Sequence, residues 1–552
     1  MVDADSWHKI ATKRRIAIQD SIPEDWRLDS LPSEEIVLNF PGQCGILSRS
    51  ELEITNLPAT ELVYQLGTGK LKAVDVTLAF CKRAAVAQQL LNCMHEFFPE
   101  AALAQAKQLD EYFLSQKKTV GPLHGLPVSL KDQLRVKGTE TSMGYVAWIG
   151  RRDEEDSVLV KLLRKAGAVF YVKTSVPQTL MVCETVNNII GRTVNPRNKN
   201  WSCGGSSGGE GAIIGIRGSV MGVGTDIGGS IRIPAAFNSA YGIRSSHGRL
   251  PYAGMANSME GQETVHSVVG PIANSISDLC LFMKAVLSEE PWKFDSKVIP
   301  LPWRVSEVES IQGRIAKGGL NIAIYPQDGI VCPHPPILRA IQSVQSALDK
   351  GGHHVFPWAP YKHEFGVNLI NKIYAADGCT DVYQNIKLSG EPAIPNIKDL
   401  LNPDLPKADV NEVWDMQLQK WQYQCEYLEK WRQLEDEIGQ EIDAIVAPIS
   451  PTAAIRHDQF RYYGYASIFN LLDLPSVVIP VTFADKDKDP KNEQFQPMGQ
   501  MDADVQSEYD PEAYHGAPVA VQIVGRRLSE ERVLAIAQEV SQLLGNNIDH
   551  LS

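Results

Sequence analysis

The chain has 552 residues, 43% of them apolar and 22% charged, the balance of an ordinary globular protein with ample chain for a large core. Lys and Arg number 53 against 66 Asp and Glu, a formal charge of −13, which speaks against nucleic acid or an anionic membrane as a partner because both bind through basic surface. No run of about 18 apolar residues predicts a membrane-spanning helix, and the length allows about three or four domains or one dominant α/β domain.

Residues 1–58 are polar and punctuated by Pro23, Pro32 and Pro41. They read as an N-terminal helical arm packed on a main domain spanning 59–545, with a short tail at 546–552. The basic cluster Lys13-Arg14-Arg15 precedes no apolar core, so no secretory signal is expected, and Asp549-His550-Leu551-Ser552 matches no peroxisomal or ER-retention signal. Nine cysteines without a C-x-x-C pair fit reduced thiols in the cytoplasm.

From about Thr60, helical and strand-like segments alternate. Ala102, Ala106, Leu109 and Phe113 share one helix face. Residues 156–165 form a helix stopped by Gly167, and 168–172 follow as a buried strand. Residues 337–349 repeat the pattern, with a helix closed by Gly351-Gly352 and a strand at 353–356. Ser529 caps a last helix over 530–544. The expected fold is α/β, a single large domain with a central mixed, mostly parallel twisted sheet covered by helices on both faces. The acidic stretch 484–514 lacks periodicity and reads as a long surface loop.

The chemical signal lies between residues 123 and 234. Residues 201–211 read Trp-Ser-Cys-Gly-Gly-Ser-Ser-Gly-Gly-Glu-Gly, and residues 224–234 read Gly-Thr-Asp-Ile-Gly-Gly-Ser-Ile-Arg-Ile-Pro. Glycine lets backbone N–H groups approach a ligand, and consecutive N–H groups form a nest for negative charge. Ile227, Gly228, Gly229 and Ser230 offer such a nest with a serine at its end, a nucleophile beside donors for the oxyanion it creates. Cys203 reads as a packed thiol.

Other chemistries fit poorly. Gly67-Thr68-Gly69-Lys70 resembles the end of a P-loop, but Leu71 replaces the Mg²⁺-binding hydroxyl and Tyr64 the first glycine. No dinucleotide fingerprint opens a helix. His353 and His354 are adjacent on a strand and point to opposite faces, so no metal is expected, and no cofactor.

The serine has two readings. Gly204–Gly208 formally matches G-x-S-x-G, which would make Ser206 an α/β-hydrolase nucleophile, but the residues before it are polar where a buried strand is required. The other reading uses a lysine as base, which must be neutral and therefore buried. Lys131 ends the apolar segment 125–131; on spacing alone it is equally a surface lysine beside Asp132.

Lys131 and the two glycine–serine boxes, with separations of 75 and 24 residues between Lys131, Ser206 and Ser230, closely resemble the amidase signature family of serine hydrolases. Segments 121–127, 193–196 and 516–525 are also similar to family landmarks, and the resemblance runs from about residue 60 to 545. Within the family, the chain as a whole is most similar to the acetamidase branch of fungi. The resemblance implies a Ser–Ser–Lys triad, with Ser230 as nucleophile, Lys131 as base and Ser206 bridging them after a cis Gly205–Ser206 peptide. It implies that Ser207, Asp226 and Arg232 brace the loops. It also implies a short-chain amide substrate, acetamide-like, cleaved to carboxylate and ammonia; family members often form homodimers. Two further readings stand beside it, a glutaminase-type subunit of a tRNA amidotransferase and a non-catalytic amidase-like binding protein.

Overall fold

Short apolar runs separated by amphipathic helices cannot bury both faces singly, and here they pair into one eleven-stranded sheet. The computed structural model describes residues 6–545 apart from 401 and 403. The tail expected at 546–552 lies outside the described residues.

In chain order the strands are β1 (Met94–Phe97), β2 (Pro127–Lys131), β3 (Val169–Thr174), β4 (Met221–Asp226), β5 (Tyr241–Arg244) and β6 (Val268–Ala273). Then follow β7 (Asn321–Ile324), β8 (His354–Pro357), β9 (Ala444–Pro448), β10 (Ser476–Phe483) and β11 (Pro518–Val524). Their order across the sheet is β1-β3-β2-β4-β6-β5-β10-β11-β9-β7-β8. Every residue of β2, β3, β4, β5, β6, β9 and β11 is buried. Successive side chains alternate sides, so both faces of these strands are covered.

The sheet is mixed, as expected, but not mostly parallel. Parallel pairing joins β2 to β3 and β4, and β7 to β8 and β9. The other neighbours, β1–β3, β4–β6, β6–β5, β5–β10, β10–β11 and β11–β9, run antiparallel. A fully buried antiparallel strand reads as the same apolar run as a parallel one, so direction is set by the connections.

The helices fall close to their expected places, at Pro99–Gln116, Val158–Lys165, Pro335–Lys350 and Glu530–Leu543. Ala102, Ala106 and Leu109 are buried along one helix face. At the N-terminus, the helix Ser6–Asp20 lies against β1, where Arg14 donates to Glu96 at 2.6 Å. Ile22, Trp26, Val37 and Leu47 join the main apolar core.

The stretch 484–514 departs from the expected surface loop. It holds two helices, Gln500–Ser507 and Pro511–Tyr514, with Val505, Tyr509 and Tyr514 buried. Asp489 takes two bonds from Arg339, at 2.7 and 2.8 Å. Its acidic residues act as partners and helix caps, a use that leaves no periodicity to read.

Candidate active site

The C-terminal ends of the parallel strands β2 and β4 place Lys131 and Thr225 side by side, at the edge where α/β sheets present ligand sites. Lys131 Nζ lies 2.8 Å from Ser206 Oγ and 2.7 Å from Thr225 Oγ1. Thr225 Oγ1 donates in turn to Gln133 Oε1 at 2.7 Å, which leaves its lone pairs for the lysine. Lys131 is wholly buried, and among the described residues no carboxylate bonds to it. Burial lowers its pKa to about 7, opposed by the more distant Asp226, Glu210 and Asp132. Near neutral pH the amine is therefore poised between ammonium and free base.

Beneath it, the helix Gly208–Gly215 packs its first turn on β4. A side chain at Gly222 would meet Glu210 Oε2 at 1.8 Å, so glycine there is what admits the glutamate. Ser129 Oγ and Thr174 Oγ1 contact the two Glu210 oxygens at 2.6 and 2.8 Å, and burial raises its carboxyl to about 8.

The second box forms the loop from β4 into the helix Arg232–Phe237. Asp226 organises it, accepting from Gly229 N at 2.9 Å, Ile231 N at 3.1 Å and Asn470 Nδ2 at 2.8 Å. The Arg232 guanidinium donates to it twice, both at 3.0 Å, and the Arg232 N–H once at 3.4 Å; both side chains are wholly buried. Although burial opposes it, the Arg232 charge and these bonds hold the Asp226 carboxyl far below its ordinary range. Arg232 also reaches Gln522 Oε1 at 2.9 Å and Asn470 Oδ1 at 2.6 Å.

Ser207 ties the boxes together. Its N–H donates to the Ser230 carbonyl at 3.1 Å, and its Oγ lies 3.3 Å from both the amide nitrogen and the carbonyl oxygen of Thr225. The Gly205–Ser206 peptide is cis. Gly229 has φ +121°, and a Cβ there would meet Ala466 and Ile233 carbons at 2.7 Å. One expectation changes here: the Gly229 N–H is committed to Asp226, so it is not a free oxyanion donor. The N–H groups of Ile227, Gly228 and Ser230 carry no hydrogen bond among the described residues.

Ser230, Ile227 and Gly228 line a cavity of about 440 Å³ with Cys183, Tyr374 and Tyr463. Exposure falls from 7% at Ser230 to 2% at Ser206 and zero at Lys131, an ordering from cavity to interior. Tyr374 Oη donates to the Ile227 carbonyl at 2.5 Å and steadies the loop from outside. Thr225, Gln133, Glu210, Tyr374 and Asn470 were not foreseen. Thr225 and Glu210 lie within the two boxes and were open to notice; Tyr374 and Asn470 are far along the chain and carry no motif. Among the described residues, no cluster of His, Cys, Asp and Glu could hold a metal ion.

A large mixed sheet presenting a buried lysine at a strand end beside two serines on paired glycine-rich loops is the architecture of an amide hydrolase. A family model described as Amidase matches residues 75–534, and the chain belongs to that family. It is 69% identical over 541 residues to an acetamidase of Emericella nidulans, covering 98% of this chain and 99% of the relative. An acetamidase of Aspergillus oryzae is 68% identical over the same length. Among solved structures, a fatty acid amide hydrolase superposes with a TM-score of 0.93 at 35% identity, over 99% of this chain and 97% of the other. The chain is an enzyme that hydrolyses amides.

Proposed function

We propose that the protein cleaves short-chain aliphatic amides such as acetamide to the carboxylate and ammonia, through an acyl-Ser230 intermediate. The observation that carries the reading is the 2.8 Å contact between wholly buried Lys131 Nζ and Ser206 Oγ, with the cavity-lining Ser230 tied through its carbonyl to the N–H of the adjoining Ser207. The acetamidase relatives, matched over nearly their full length, support the choice of substrate.

In this reading Ser230 Oγ attacks the amide carbon. Its proton passes to Ser206 Oγ, and the Ser206 proton passes to neutral Lys131 Nζ. The carbonyl electrons move to oxygen, and the unbonded N–H groups of Ile227, Gly228 and Ser230 are the donors for that charge. As the C–N bond breaks, Ser206 protonates the leaving nitrogen and recovers a proton from Lys131, so ammonia leaves rather than an amide anion. Water then attacks the acyl ester by the same relay, releasing the carboxylate and restoring Ser230. Ser207, Asp226 and Arg232 act by holding the two loops in register, and Gly205 completes the turn before Ser206.

The nine cysteines are free thiols, which supports cytoplasmic residence, and no helix among the described residues is long and apolar enough to cross a membrane. A homodimer is the assembly expected from the family, and sedimentation of the full chain tests it. For function, the purified chain is assayed for ammonia release from acetamide, longer aliphatic amides, benzamide and glutamine. Acetamide turnover is expected from the chain alone and is lost in Ser230→Ala. Activity on glutamine only, or only with added subunits, would replace this reading with that of an amidotransferase subunit.

A further inference from the structure

The donors offered to the oxyanion are aimed by bonds made elsewhere on the same peptides. In a trans peptide the carbonyl and the N–H point in opposite directions, and every peptide from Asp226 to Arg232 is trans. Anchoring a carbonyl therefore sets where the next residue's N–H points. The Gly229 carbonyl accepts from Ile233 N at 2.8 Å, in the first turn of the helix Arg232–Phe237, and this turns the Ser230 N–H the other way. The Ile227 carbonyl takes no backbone bond among the described residues. It accepts from Tyr374 Oη at 2.5 Å, so the tyrosine sets the direction of the Gly228 N–H.

Gly228 needs such a hold, because it has no side chain to narrow its φ and ψ. The peptide after it is pinned through the Gly229 N–H, which donates to Asp226 Oδ1 at 2.9 Å. The peptide before it is pinned by Tyr374. A Cβ at Gly228 would lie 3.3 Å from Tyr374 Oη, so the phenol packs directly over the backbone it holds. Tyr374 ends the helix His363–Tyr374 and packs, with Ile227, against an apolar core that includes Leu369, Ile373 and Phe469. A helix, rather than a loop, thus delivers the hydroxyl, 147 residues along the chain from the carbonyl it meets.

We propose that Tyr374 is a positioning residue for the hydrolysis, its phenol holding the Ile227–Gly228 peptide so that the Gly228 N–H meets the oxyanion formed at Ser230. The proposal rests on the reading of Ser230 as nucleophile. Tyr374 gives up no proton in the reaction. Its effect is to preset a dipole, which gains most from the full charge that develops on the carbonyl oxygen and little from the neutral amide. The hydroxyl therefore acts on kcat and leaves KM nearly untouched.

Tyr374→Phe keeps the ring and removes the hydroxyl. With acetamide its kcat should fall by about tenfold or more while KM stays within about twofold, and the inflection near pH 7 should persist because the lysine relay is intact. The oxyanion is probed directly with 1,1,1-trifluoroacetone, a ketone whose carbonyl carbon bonds to Ser230 Oγ. The carbonyl electron pair moves to oxygen, and the serine proton passes to the relay. Its inhibition constant should weaken in Tyr374→Phe by the factor lost in kcat/KM. Tyr374→Leu, which removes the ring as well, should lose at least as much in kcat. A parent-like kcat in Tyr374→Phe would overturn the proposal, even if Tyr374→Leu is inactive, since ring packing would then carry the effect. A raised KM at unchanged kcat would also overturn it by making the phenol a substrate contact, as would undiminished affinity for the ketone. If the ketone fails to inhibit the parent, or binds Ser230→Ala as tightly, the nucleophile reading fails and the proposal falls with it.

Discussion

Titration of Lys131 is the sharpest probe of the proposed relay. Its Nζ is enclosed by the hydroxyls of Ser206 and Thr225 and has no access to water, and burial lowers its pKa to about 7. On that value about a tenth of the enzyme carries a neutral lysine at pH 6, half at pH 7 and nine-tenths at pH 8. If only the neutral form accepts the Ser206 proton, kcat/KM for acetamide should rise about tenfold from pH 6 to pH 8 and level off above it. Initial rates of ammonia release at constant ionic strength give the profile. Lys131→Ala should lower the rate by about 10²–10⁴ and abolish the inflection near pH 7. The same group links to stability. The unfolded lysine holds its proton up to about pH 10.4, whereas the folded one releases it near 7, so between these values the unfolded state binds more protons. The Lys131 contribution to stability therefore rises with pH across that window. A rate that is flat from pH 6 to 9, that falls through pH 7, or that keeps its inflection in Lys131→Ala would refute the assignment of the base.

Three other perturbations follow from the geometry. Asp226→Asn leaves the buried Arg232 without its counter-charge and should cost about 3–5 kcal/mol in denaturant unfolding, whereas a loss near 1 kcal/mol would mean the pair is not what braces the loop. Gly229→Ala forces a Cβ to within 2.7 Å of Ala466 and Ile233 carbons at a positive φ, so kcat should drop about a hundredfold; activity near the parent's in a folded variant counts against the loop as oxyanion holder. Thr225→Val removes an acceptor that favours the ammonium form of Lys131, and the midpoint of the pH–rate profile should move to lower pH. A midpoint that stayed in place or rose would show that Thr225 does not tune the lysine.

Much of the site was legible because its chemistry is local. Glycine and serine packed into residues 204–209 and 226–230 announce turns that expose backbone donors, and Lys131 closes an apolar run that forms a strand buried along its whole length. The helices near 99–116, 335–350 and 530–543 were equally readable, since periodicity records which face is apolar. Sheet direction was not, because a buried strand reads alike whichever way its neighbours run. Nor was the acidic stretch 484–514, whose order comes from single bonds such as Arg339 to Asp489.

The sequence by itself determined the local conformations and the residue types available for catalysis, including three side chains separated by 75 and 24 positions. Only the tertiary structure decided which of them meet and in what charge state. Lys131 is a buried amine rather than a surface cation because strands and helices from across the chain exclude water from it. Gly229 lost its place among the free donors because Asp226 folds back onto it. Both outcomes have one cause, since distance and dielectric belong to the packed chain and leave no trace in the order of its residues.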